Sequence, residues 1–93
     1  MHSALFVAAE PIGASPLIQL HWKRFLEAAE HETKNTNGAQ RLAGNVWLLD
    51  MLHGLSALVA LGEAASSHQF AYKVMFMEEP PVWAESAPRP EEP

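Results

Sequence analysis

Gly44-Asn45 stands between two segments with extended character, Ala39-Gln40-Arg41-Leu42-Ala43 and the apolar run Val46-Trp47-Leu48-Leu49-Asp50-Met51. A Gly-Asn pair in that position is a two-residue hairpin signal. If the chain reverses there, the strand from Val46 runs antiparallel to the first strand of the domain. If residues 39–43 form no strand, it runs parallel. The choice of fold rests on this dipeptide.

The remaining segments fit around it. Residues 4–9 (Ala-Leu-Phe-Val-Ala-Ala) are apolar on both alternating faces, as in a central strand. Ser15-Pro16 is a helix start, because serine caps the orphan amides and proline fits the first helical position. The helix is expected over Pro16–Lys34, with Ile18, Trp22, Phe25, Leu26 and Ala29 inward and Gln19, Lys23, Glu27 and Glu30 outward. Asn35-Thr36-Asn37-Gly38 stops it. A second helix is expected from about Leu55 to His68, with Leu55, Leu58, Val59, Gly62 and Ala65 inward and Ala57, Ala60 and Ala64 outward. A last strand is expected from Phe70 to Met77.

The order strand, helix, strand, strand, helix, strand predicts an α+β domain. In its ferredoxin-like βαββαβ form it is a sandwich of sheet order 4-1-3-2, with an antiparallel sheet and two helices on one face. The alternative is a three-stranded parallel βαβαβ sheet of the α/β class. One domain is expected over residues 1–79, with a Pro/Glu-rich tail over 80–93 that is mostly disordered.

Composition narrows the function classes. The chain has no cysteine, which excludes disulfides, thiolate metal sites and cysteine nucleophiles. Net charge is −5. From Glu78 onward five acids (Glu78, Glu79, Glu85, Glu91, Glu92) against one base (Arg89) leave −4, so the folded part is close to neutral. That balance argues against nucleic acid, whose binders cluster Lys and Arg. No apolar run approaches the roughly 18 residues of a membrane span. The first residues carry an apolar core with no Lys or Arg before it, so a first strand of a cytoplasmic protein is expected rather than a secretory signal.

The sequence offers four kinds of site. Gly13 and Ser15, before the first helix, have the makings of an anion cradle. In the parallel fold they would share an edge with Asp50, His53 and Gly54 and bind a small ligand there. In the antiparallel fold the two loops lie at opposite ends. His2, Asp50, His53 and Glu78 offer metal-ligand chemistry but no diagnostic spacing, so no metal and no cofactor is expected. No serine or carboxylate lies in a catalytic context, and no catalytic residue is assigned. Small CRISPR-associated endonucleases resemble this topology. Their aspartate at the end of the first strand is replaced here by Ala8-Ala9-Glu10, and no residue carries over.

The fourth kind is an interface. Helices on one sheet face leave the other bare, yet the central strands are apolar on both. Either Phe6, Trp47, Leu49 and Met51 or the alternate set Leu5, Val7, Val46 and Leu48 must face away, unless Val82-Trp83 of the tail covers them. The expectation settles on Phe6, Trp47, Leu49 and Met51, extended by Met75 and Met77, as the surface of a homodimer that also has room for a protein partner or small ligand. A domain this small gains stability from such association.

Overall fold

The computed structural model describes residues 2–79 together with Val82 and Ala84. The chain runs β1 (Ser3–Ala8), α1 (Pro16–Lys34), β2 (Ala39–Ala43), β3 (Val46–Asp50), α2 (Leu55–Ser67) and β4 (Tyr72–Met77). The rest of the expected tail, Trp83 included, lies outside the described residues.

Gly44-Asn45 does reverse the chain. β2 pairs antiparallel with β3, β3 with β1 and β1 with β4, in the order β2-β3-β1-β4. The fold is α+β, and its strand order fits a ferredoxin-like sheet. The parallel alternative is excluded by the β1–β3 register, Ser3 opposite Asp50 and Val7 opposite Val46. The turn does not work as a primed hairpin, however, since Gly44 keeps a negative φ. An ordinary turn splays its strands, and the register shift between Arg41 and Ala43 takes up the mismatch. Asn45 pins the turn to β1: its side-chain amide donates to the Ala8 carbonyl at 2.9 Å, and its own carbonyl accepts from the Ala8 amide.

α1 begins as its sequence dictates, with the Ser15 hydroxyl accepting from the Ile18 amide and Pro16 at the first helical position. Trp22, Phe25 and Ala29 are buried, whereas Ile18 is largely exposed. The core they enter is aromatic. Phe25 meets Trp47 edge-on at 6.0 Å, Phe6 meets Trp47 at 5.9 Å, and Phe70 meets Trp22 at 5.1 Å. Each such pair contributes ~0.5–1.5 kcal/mol beyond its area.

Three expectations are corrected. Phe6, Trp47 and Leu49 do not face away from the helices. They are fully buried in the same core as Trp22, Phe25 and Leu61, and Met51 packs against that core from its edge. Ala4 and Ala8 lie on the same side, and their small volume lets the helices approach the sheet while Phe6 and Trp47 fill the space between. The face that neither α1 nor α2 covers is therefore that of the alternate set.

α2 is also turned from its expected orientation. Ala57, Leu61 and Ala65 are buried, while Leu55 (56%) and Val59 (53%) stand exposed. Alanines permit close approach, so Ala57 and Ala65 flank Leu61 against the core while Leu55 and Val59 stay outside.

Finally, β4 starts at Tyr72 because Gln69 and Phe70 belong to the end of α2. The Phe70 amide donates to the Ala65 carbonyl and the Gln69 amide to the Ser66 carbonyl. With Gln69 at φ 63, this is a Schellman cap.

Candidate functional site

The alternation of β1, β3 and β4 divides the sheet cleanly. Leu5 lies opposite both Leu48 and Met75, Val7 opposite Val46 and Lys73, and Ser3 opposite Asp50 and Met77. Residues directly opposite share a face. Leu5, Val7, Val46, Leu48, Met75 and Met77 thus form one apolar surface on the side away from the core. Met75, at 54% exposure, is its most open member. Lys73 and Asp50 bound it.

With strands about 4.8 Å apart and about 3.3 Å per residue, three strands of some six residues project roughly 300 Å². Apolar patches of a few hundred Å² on a small protein are commonly functional contacts. Of the six residues expected at an interface, Met75 and Met77 lie here, and Phe6, Trp47, Leu49 and Met51 do not.

Gly13 and Ser15 follow the end of β1, whereas Asp50 and His53 follow the end of β3, so the two loops lie at opposite ends of the sheet. The structure does not bring them together. Ser15 is occupied by its helix cap. Gly13, at φ 67, has nothing within 4 Å of where a Cβ would stand, so it serves the turn rather than a close approach.

Asp50 and His53 do meet, at 3.1 Å between Oδ2 and Nδ1. The other carboxylate oxygen of Asp50 accepts from the Leu52 amide at 2.9 Å. That backbone bond, followed by the His53 bond, holds the Asp50 carboxyl below its ordinary range. Gly54 sits beneath this turn, donating its amide to the Asp50 carbonyl. A Cβ on Gly54 would lie 2.7 Å from that carbonyl oxygen. Asp50, His53 and Gly54 thus form a turn that joins β3 to α2, in which the Asp50 carboxylate is engaged by the Leu52 amide and by His53. Among the described residues, no three His, Asp or Glu side chains are placed to hold a metal ion. Nor is any helix among them long and apolar enough to cross a membrane.

The sequence reading missed a groove of about 690 Å³ between α2 and β4. Leu58, Val59, Gly62, Tyr72 and Val74 line its apolar part, and Glu63, Ser66 and Ser67 its rim. Gly62 makes it tight at one point, since a Cβ there would come 3.1 Å from the Tyr72 hydroxyl. The signal available in the sequence was the pairing of a helical glycine with Tyr72 ten residues on.

No protein-family profile, curated protein or solved structure matches this chain.

Proposed function

We propose that this chain is a ferredoxin-like βαββαβ sandwich that acts in the cytoplasm without catalysis, as a self-associating module. Two copies pack their open sheet faces together, and the interface so formed is the place for a partner or small ligand. The observation that carries this reading is the uninterrupted apolar surface of Leu5, Val7, Val46, Leu48, Met75 and Met77. A second sheet laid on the first at about 10 Å would remove those side chains from water, as inside a β-sandwich. A second copy suits the surface, since a two-fold interface needs one patch that complements itself. Lys73 and Asp50 at its margins offer opposite charges to the same pair on the other copy.

The competing reading, an enzyme or anion-binding protein using Gly13, Ser15, Asp50 and His53, loses support from their separation and from the turn that engages Asp50. Light scattering on wild type and on Leu48→Asp tests the proposal. Wild type should have the mass of an oligomer at micromolar concentration, and Leu48→Asp a smaller mass with unchanged circular dichroism. A monomeric wild type at high micromolar concentration refutes it.

A further inference from the structure

The two edges of the sheet are built differently. β2 is interrupted by the shift between Arg41 and Ala43, and the Arg41 guanidinium folds back onto the Ala43 and Gly44 carbonyls at 3.2 and 2.7 Å. Bulges and charges are the usual means of blunting an edge. β4 has no bulge and a single charge. Its register with β1 runs without a shift from Tyr72 to Met77, and its only charge is Lys73. Tyr72, Met75 and Phe76 are all substantially exposed along it.

The direction of its backbone groups follows from the ladder. Ala9 donates to the Ala71 carbonyl at 2.8 Å, continuing the register in which Ala8 lies opposite Tyr72. Hydrogen-bonded pairs alternate along an antiparallel ladder. Ala71, Lys73, Met75 and Met77 therefore turn their amides and carbonyls toward β1, and Tyr72, Val74 and Phe76 turn theirs outward.

We infer that β4 is a second contact surface, at which two copies of this chain pair edge to edge about a two-fold axis through Val74. An antiparallel pair related by a two-fold keeps both sets of helices on one side, so the axis must pass through a residue rather than between two. Centred on Val74, the outward groups of Val74 meet their own copies and those of Tyr72 meet those of Phe76. The result is about six ladder hydrogen bonds. Tyr72 then lies across from Phe76 beside the α2 groove, and Lys73 across from Met75. Centring on Lys73 instead would oppose two ammonium groups, which is destabilising. Centring on Met75 would set Glu78 across from Tyr72. Centred on Val74, the strand keeps its one charge away from its own copy and pairs its three outward residues, Tyr72, Val74 and Phe76, with one another, which is why a second copy fits this edge. The contact is separate from the open sheet face.

Two variants test it by light scattering and cross-linking of the full chain. Proline at position 74 deletes an outward amide and leaves the bonds to β1 in place. Val74→Pro should therefore halve the mass relative to wild type. In a chain without cysteine, Val74→Cys brings two thiols together at the axis, with Cα atoms about 5.5 Å apart and within disulfide range. It should cross-link at least tenfold faster than Gln40→Cys on the opposite edge. An unchanged mass for folded Val74→Pro overturns the inference, as does equal cross-linking of the two cysteine variants. If Val74→Pro does not fold, the cysteine pair decides. Leu48→Asp separates this contact from the open face: an unchanged mass there, with halving by Val74→Pro, removes the face contact and keeps the edge.

Discussion

Truncating Leu48 and truncating Leu49 should give opposite results, although the two are identical neighbours on β3. Leu49 is fully buried beneath the helices with Phe6 and Trp47. Leu49→Ala loses the transfer energy of its side chain and leaves a cavity among rigid aromatic rings, at a cost of about 2–5 kcal/mol. For a domain of this size each kcal/mol moves the midpoint by about 4–8 °C, so Tm should fall by roughly 8–40 °C. Leu48 is only half-buried, on the face that neither α1 nor α2 covers. In the monomer its truncation should cost less than about 1 kcal/mol. Its effect should instead depend on protein concentration, because a group buried only between copies contributes through mass action. Urea unfolding at low and high micromolar concentration measures both. Leu49→Ala should lower the midpoint equally at each, and Leu48→Ala should weaken the concentration dependence of wild type. An equal loss from Leu48→Ala in dilute solution would refute the assignment of faces, since something in the same chain would then cover Leu48.

Three further outcomes follow from local geometry. Gln69 occupies the left-handed region at the cap of α2, so Gln69→Gly should stabilise the chain by about 0.5–1 kcal/mol in thermal unfolding, the relief of backbone strain exceeding glycine's extra freedom when unfolded. Gly54→Ala must displace the Asp50 carbonyl from a 2.7 Å contact and should destabilise by about 1–3 kcal/mol in urea unfolding. Asp50 is held below the ordinary carboxylate range, first by the Leu52 amide and then by His53. Its stabilising contribution is therefore fully present above about pH 4 and is lost as pH falls through its lowered value. In acid titrations followed by circular dichroism, Asp50→Asn should flatten that part of the profile.

The order of elements was legible because helix and strand periods differ, and each boundary carried its own chemistry: Ser15-Pro16, Gly38 and Gly44-Asn45. The choice of sheet face was not, because both alternating sets on β1 and β3 are apolar. Nothing in Phe6-Val7 or Trp47-Leu48 says which lies under the helices. That is settled by how α1 and α2 return over the sheet, and by the room left beside Ala4 and Ala8. The rotation of α2 was hidden for a related reason. A hydrophobic scale ranks Leu55 and Val59 above Ala57, yet close helix packing favours the smaller side chain. Asp50, His53 and Gly54 are residue types found at ligand sites, and no local pattern marks Asp50 as accepting from the Leu52 amide.

Arg41 has a consequence for how large an assembly this chain can reach. A sheet that recruits neighbours along both sides grows without limit, which is the geometry of a fibril. Here one side is a dead end, since the irregular step at Arg41 to Ala43 and the guanidinium folded over the adjoining carbonyls leave no straight template for an incoming strand. A chain joined to another through its opposite side therefore presents only capped margins, and accretion in the plane of the sheet stops at two. Removing the stopper, by Arg41→Val, would leave a polymer in reach where there had been a closed particle.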